Sequence, residues 1–146
     1  IASRALWDMD RIEAIVATRA EPDTIGLSAV AGCLSPVTPE EPAGIHLELD
    51  REEPTATVLA PIAPGLFSAV PVGRWQRLTV GEKVILKSGD KPRLLALDGE
   101  REVLVRAGEE AKIVLSASGP FVVDIGATLK RVQGEGFFNM AKNVRP

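Results

Sequence analysis

Four short apolar runs between Lys83 and Ile125 constrain the fold more than any other part of the sequence. Polar breaks that contain glycine separate the runs, at residues 88–92, 98–100 and 107–110. Short β-branched runs bounded by Gly, Pro and Asp are typical of antiparallel strands joined by hairpins. Asp98-Gly99 is the strongest of these turn signals, because a type I′ turn needs φ > 0 at two positions. The stretch therefore predicts a β meander.

The composition limits the class of protein. The chain has 146 residues, of which 45% are hydrophobic and 25% charged, which is typical of one soluble globular domain. A net charge of −3 argues against a nucleic-acid or membrane-surface partner, and no apolar run approaches the roughly 18 residues of a membrane span. The single Cys33 excludes an internal disulfide framework and a multi-cysteine metal site. We expect a cytoplasmic protein.

A second organised stretch follows a predicted strand at Ile12–Thr18. Pro22 ends that strand, and Asp23 or Thr24 is placed to cap a following helix. Small residues at positions 26, 28, 29, 31 and 32 would let this helix approach a neighbouring backbone or ligand closely. A strand that leads through a polar loop into a helix N-terminus favours phosphate, because unpaired N–H groups and the helix dipole both attract an anion.

The rest of the chain completes a mainly β prediction. Ile45–Asp50 alternates apolar and polar residues, which predicts a half-exposed strand with His46 on its solvated face. The default expectation for Cys33 is a buried, inert thiol, and Phe137-Phe138 is expected to dock on the domain. Further strands are predicted at Thr55–Ala60, Arg74–Val80 and, as an edge strand, Ala127–Val132. The predicted fold is an antiparallel β-sandwich of two layers with one short helix after the first strand.

Two of these stretches resemble a known family. Leu97-Asp98-Gly99-Glu100, with a strand, an acidic Gly turn and another strand after it, resembles the C-terminal domain of the NAD kinase and diacylglycerol kinase superfamily. Within it, the chain is most similar to the ATP-NAD kinase-like proteins of acetoin catabolism, called AcoX. Ile25–Gly32 is similar to the second half of the Gly-Ser-Thr-Ala-Tyr-Ser-Leu-Ser-Ala-Gly-Gly segment that lines the nucleotide site of NAD kinases. The first half is replaced by Glu21-Pro22-Asp23-Thr24, which puts two carboxylates where the family has Gly and hydroxyl groups.

The resemblance implies a role within a larger protein. Residues 1–146 would be one domain, the C-terminal substrate-binding and oligomer-forming half of a kinase-like protein that transfers a phosphoryl group from ATP to NAD or a related nucleotide. Since Ile1 is not an initiator Met, we expect that an N-terminal α/β domain with the ATP and Mg²⁺ contacts is missing. The expected partners are the nucleotide, that domain and other copies in a homo-oligomer. The implied substrate-binding residues are Glu21, Asp23, Thr24, Gly26, Ser28, Asp98, Gly99 and Glu100.

Some functions remain open on the sequence. The superfamily's Gly-Gly-Asp-Gly-Thr phosphate motif is absent from the chain, so the chain alone is expected to be inactive and to bind neither ATP nor Mg²⁺. Glu21 and Asp23 could hold Mg²⁺ or act as a general base, or Asp23 could be a helix cap worth about 1 kcal/mol beside a solvated Glu21. Asp98-Gly99 could be a plain hairpin turn. One alternative is a lipid kinase-like domain, which Asp98-Gly99-Glu100 favours and which would have an apolar groove between the layers. The other alternative is a non-catalytic binding or assembly module.

Overall fold

The centre of the molecule is a four-stranded antiparallel sheet in the order β1 (Ala14–Ala17), β2 (Ala43–Leu49), β4 (Leu66–Thr79) and β3 (Ala56–Ala63). The computed structural model describes residues 9–98, 100–119, 121 and 123–139, beginning with a 3₁₀ turn at Met9–Arg11. The interior strands β2 and β4 bond to a neighbour on each side, while β1 and β3 are the edges. The four strands predicted in this part of the chain are confirmed, and β4 begins earlier than predicted.

The main core lies between this sheet and helix α1 (Leu27–Gly32). Ile45 and Leu47 of β2 are fully buried, because the alternation along the strand turns both side chains to the same face. Val30 and Ala31 of α1 are fully buried against the same cluster, and α1 packs on β1, β2 and β3. The short helix predicted after the first strand is therefore confirmed.

The four strands after Thr79 form one long two-stranded ribbon. β5 (Lys83–Lys87) pairs with β8 (Glu110–Val114), and β6 (Arg93–Leu97) pairs with β7 (Arg101–Val105). The chain runs outward along β5 and β6, reverses, and returns along β7 and β8. The predicted strands are all present, but the meander order is wrong. Glycine-bearing breaks mark where strands end without specifying which strands pair.

The ribbon lies against the face of the sheet opposite α1. Gly44 alternates with Ile45 and so faces away from α1, and a Cβ built on Gly44 would lie 3.5 Å from a methyl group of Leu115. Arg93 of the ribbon also forms an ion pair with Glu13, beside β1. Burial alternates along β5, where Val84 is 4% exposed between exposed neighbours. The structure is thus mainly β and antiparallel, as predicted, with helix, sheet and ribbon in layers.

The C-terminal region differs from its prediction. Ala127–Val132 was predicted as an edge strand but lies within helix α2 (Ile125–Gly134). Asp124 caps this helix, since its Oδ1 accepts the Ala127 N–H at 2.8 Å, and this local bond overrides the β-branched residues of the segment. Phe137 and Phe138 stay 72% and 60% exposed and stack edge-to-face on each other, so their predicted docking is wrong. Neither helix of the described residues is long and apolar enough to cross a bilayer.

Ser88 holds the junction between the two halves of the ribbon, which gives a first testable prediction. It is 3% exposed, and its Oγ lies 2.5 Å from the Arg106 carbonyl oxygen and 2.9 Å from that of Glu109. Ser88→Ala leaves both carbonyl groups without this donor, so we expect it to lower the free energy of unfolding by about 1–3 kcal/mol.

Urea denaturation measures this change. Ser118→Ala, at an exposed serine of the loop after β8, is the matched control and should stay within about 0.5 kcal/mol of the wild type. Equal stabilities of the two variants would contradict the role given to Ser88.

Candidate functional site

The segment Arg19–Ser28, called the site loop below, connects β1 to α1 and carries five of the predicted substrate-binding residues. Its start is fixed to the domain by a two-bond bridge in which Ala20 and Val37 exchange N–H···O=C bonds of 2.9 Å. Its end is fixed by Gly26, whose N–H donates to the Pro61 carbonyl at 2.9 Å. The loop is therefore held at both ends by backbone bonds.

Glycines determine how closely the loop and α1 approach each other. A Cβ on Gly32 would lie 2.5 Å from the Glu21 carbonyl carbon and 2.6 Å from the Pro22 nitrogen, so only glycine fits there. Gly26 has φ 83 and ψ −148, a conformation that is essentially restricted to glycine. The predicted close approach of the small-residue helix is confirmed, and the neighbour is the backbone of the site loop.

The loop's hydroxyl groups bond to its own backbone. Ser28 Oγ accepts the Glu21 N–H at 3.3 Å and donates to the Arg19 carbonyl at 3.0 Å. Thr24 Oγ1 donates to the Glu21 carbonyl at 2.7 Å. The cap of α1 is Gly26, without a side-chain hydrogen bond, so the prediction that Asp23 or Thr24 caps the helix is wrong. Thr24 and Ser28 thus close the loop on itself, Thr24 before the helix and Ser28 in its first turn.

Arg19 is the charged centre of the site loop, and the sequence analysis did not single it out. Its Nε donates to Glu21 Oε2 at 2.5 Å. This hydrogen bond, with the charges of Glu21, Asp23 and Glu40, raises the pKa of Arg19 above its ordinary value. Asp23 is exposed and accepts no hydrogen bond from the described residues, whereas Arg19, Glu21, Thr24 and Ser28 are all bonded. The loop thus presents one exposed carboxylate, that of Asp23, to which no described residue donates a hydrogen bond.

The second predicted group lies at the turn between β6 and β7. Asp98 has φ 52, and the Glu100 N–H donates to the Leu97 carbonyl at 3.1 Å, as expected for a hairpin turn that begins with Asp-Gly. Asp98 and Glu100 are exposed, and Gly99 lies outside the described residues. Within the described part of the chain, no hydrogen bond or ion pair joins this turn to the site loop. The two groups belong to layers on opposite faces of the sheet, and a shared cleft stays a prediction.

His46 is buried, although it was predicted to be solvated. It is 6% exposed, and its Nε2 has no hydrogen-bond partner. Burial lowers the pKa of His46 below its ordinary value of 6.5; Glu48 opposes this shift and Arg74 adds to it. The alternating pattern of β2 correctly put His46 opposite Ile45, but the structure buries this face at His46 and leaves the Glu48 side chain of the same face 42% exposed. Cys33, predicted as buried, is exposed just after α1.

A small apolar cleft lies where the ribbon meets the sheet. Its volume is about 230 Å³, below the roughly 300–1,000 Å³ of typical small-molecule pockets. In the described part of the chain, no group of three or more His, Cys, Asp or Glu residues could hold a metal ion. The cleft is lined by Val16, Ala17, Thr18, Gly44, Leu78, Ile113, Val114, Leu115 and Ser116.

Comparison with known proteins identifies the family. Residues 1–118 match the family model described as "Acetoin catabolism protein X C-terminal domain". The chain belongs to this family. It is 39% identical over 133 residues to "Acetoin catabolism protein X" of Cupriavidus necator, an alignment that covers 89% of this chain and 36% of that relative. No solved structure matches the chain. The predicted AcoX resemblance is therefore confirmed, whereas its wider link to NAD kinases is not shown.

The contact between Gly32 and the site loop of this AcoX-type domain gives a second prediction. We expect Gly32→Ala to lower the free energy of unfolding by about 1–3 kcal/mol, because the added methyl group meets the backbone of Glu21 and Pro22. Gly134→Ala is the matched control, since this glycine also ends a helix and a Cβ there meets nothing within 4 Å. Thermal unfolding of both variants measures the difference, and an unchanged or raised melting temperature for Gly32→Ala would contradict the close contact.

The buried His46 gives a third prediction, on the pH dependence of stability. The pKa of His46 is below 6.5 in the folded chain. When the pH falls, His46 of the unfolded chain therefore binds its proton at a higher pH than His46 of the folded chain. Protonation of His46 should therefore leave the free energy of unfolding unchanged above pH 6.5 and lower it progressively below that value.

The matched variant is His46→Leu, which cannot titrate and removes an imidazole that lacks a partner at Nε2. Urea denaturation from about pH 8 to about pH 5 should give a smaller loss of stability for the variant than for the wild type. Since His46 is the single histidine of the chain, parallel curves for the two proteins would contradict its neutral burial.

Proposed function

We propose that this domain is the ligand-binding portion of an AcoX-type protein that transfers a phosphoryl group from ATP to NAD or a related nucleotide. In this proposal the site loop forms one wall of the site. One observation supports it most. Among the polar side chains of the site loop, that of Asp23 makes no hydrogen bond or ion pair with the described residues. An exposed carboxylate on a backbone fixed at both ends is suited to act on a ligand, because its position is set before the ligand binds.

The chemistry of Asp23 fits a hydroxyl group as phosphoryl acceptor. Its carboxylate would accept the hydroxyl proton while the hydroxyl oxygen bonds to the γ-phosphorus and the bond to the ADP oxygen breaks. Arg19 would limit the repulsion between the loop's carboxylates and the phosphates, because its charge lies beside Glu21 and near Asp23. A magnesium ion, where one takes part, would find one carboxylate here and its other ligands in water and phosphate oxygens.

The remaining parts of such a site would come from other regions of the protein. The chain spans 36% of the length of its Cupriavidus necator relative, so more than half of such a protein lies outside it. Phosphoryl transfer depends on neutralising charge around the phosphates, and the sequence of this chain contains neither a P-loop nor a Gly-Gly-Asp-Gly-Thr segment. The proposal therefore assigns ATP binding to the other part and the acceptor side to this chain.

The test is a fourth prediction, made on the full-length protein. Asp23→Asn should lower kcat/KM for ATP-dependent phosphorylation of NAD or a related nucleotide by about 10²-fold, because the amide cannot accept the proton. Asp90→Asn removes the same charge at an exposed ribbon turn and should keep wild-type activity. Both variants should melt at the wild-type temperature, since no described hydrogen bond uses either carboxylate.

Two outcomes would contradict the proposal. If the wild-type protein consumes no ATP with any nucleotide acceptor, a non-catalytic binding or assembly role is favoured instead. If Asp23→Asn retains full activity, the role given to Asp23 is wrong. The lipid kinase-like alternative has one supporting observation, the apolar lining of the cleft between sheet and ribbon. Its volume of about 230 Å³ is small for an acyl ligand, and lipid found by mass spectrometry of the purified protein would favour this alternative.

A further inference from the structure

The outer edge of β3 exposes backbone groups that can pair with another strand. The Pro61 carbonyl accepts the Gly26 N–H, so it points away from β4. Since successive residues of a strand direct their N–H and C=O groups to opposite edges, the groups of Leu59 and Thr57 also point outward. Among the described residues, no backbone bond outside the strand ladder uses these groups. β3 therefore presents two donors and two acceptors in a row.

This edge has none of the charged side chains that usually prevent strands from pairing between molecules. The segment from Pro54 to Gly73 contains no Asp, Glu, Lys or Arg, although 25% of the chain is charged. By contrast, the opposite edge of the sheet has the ion pair between Glu13 and Arg93 beside β1. Native proteins commonly protect edge strands with charge, so an uncharged edge is a site for strand pairing.

The sheet face next to this edge is apolar and uncovered. Leu59 is 66% exposed, and Phe67 on the paired strand is 61% exposed. Both lie opposite the buried Val58 and Ala60, on the face that the ribbon contacts at Gly44. Backbone groups and apolar side chains thus occur together at the β3 edge.

We propose that the β3 edge is the contact between two copies of this chain, which pair as antiparallel strands about a twofold axis. Such an axis brings each residue close to its own copy, so a charged residue near it would meet a like charge. Because the segment from Pro54 to Gly73 is uncharged, two copies of it can meet at this axis without repulsion between like charges. An axis through Val58 pairs Thr57 with the partner's Leu59 and Leu59 with the partner's Thr57, which satisfies all the outward groups of both residues.

Two features limit the pairing to these residues. Pro61 has no N–H, and its carbonyl is already bonded to Gly26, so the ladder ends before it. At the other end, the Thr55 N–H is bonded to the Val72 carbonyl at 2.9 Å. The result is an eight-stranded sheet across the two copies, on which Leu59 and Phe67 of both form one apolar band. This interface does not depend on the proposed function.

The test is the mass of the 146-residue chain measured by size-exclusion chromatography with light scattering. The wild type should have about twice the 15.5 kDa of one chain. Leu59→Lys places two like charges near the axis and should give the mass of a monomer. Leu104→Lys is the matched control, because Leu104 is 60% exposed on the ribbon, and it should remain a dimer. Thr57→Lys, at the same edge, should repeat the Leu59→Lys result.

Several results would overturn the proposal. A monomeric wild type would do so, as would a folded Leu59→Lys variant that keeps the dimer mass. Dissociation by Leu104→Lys instead would move the interface to the ribbon. The full-length protein provides the last comparison: if it is a monomer while the 146-residue chain dimerises, the edge pairs with the remainder of the same protein rather than with a second copy.

Discussion

The burial of β2 on both faces is the constraint on which the rest of the structure depends. Toward α1 it places the fully buried Ile45 and Leu47, and toward the ribbon it places Gly44 and His46. These residues are shielded from solvent on both sides, so the chain supplies a cover over each face of the sheet at this part of β2. α1 provides the first cover directly after β1, whereas the ribbon has to return over the sheet after β4. Where the ribbon meets β2, a Cβ on Gly44 would lie 3.5 Å from a methyl group of Leu115.

The site loop resembles a segment that lines a ligand site, but packing and hydrogen bonding within the fold explain most of its residues without a ligand. Gly26 is required by its backbone conformation, and Gly32 by the backbone of Glu21 and Pro22. Ser28 is required because its hydroxyl bonds to the loop on both sides. These residue types are therefore accounted for by packing and hydrogen bonding. Asp23 is different, because no hydrogen bond or ion pair among the described residues uses its carboxylate, and a functional explanation is needed there first.

Much of the fold could be predicted from the sequence because its signals are local. β-branched runs located the strands, and the Asp98 turn follows from an Asp-Gly pair that tolerates φ > 0. The errors concern relations between distant segments. Nothing local shows that β5 pairs with β8, and the alternation of Ile45–Leu49 cannot show that another layer covers the face of His46. The α2 error is local: the capping bond from Asp124 outweighs the strand preference of the residues that follow it.

The candidate site could be predicted only where it depends on the order of residues along the chain. Glu21, Asp23 and Thr24 lie together because they are consecutive, whereas the distance between them and Asp98 depends on the ribbon's path. Arg19 was missed because an arginine two residues from a glutamate is common, and only the folded loop aligns its Nε with the carboxylate.

The Pro61 carbonyl group joins the site loop to the β3 edge. Pro61 ends the segment of β3 that can pair with another strand, and its carbonyl fixes Gly26 at the end of the site loop. A shift of β3 along β4 would move this acceptor, and Gly26 cannot easily follow, since its φ of 83 and ψ of −148 leave few alternative conformations. The register of β3 on β4 is regular as far as Pro61, opposite Phe67, and shifts only between Pro61 and Ala63. Whatever binds at the β3 edge therefore acts on a strand that also positions Gly26, near the end of the site loop that carries Asp23.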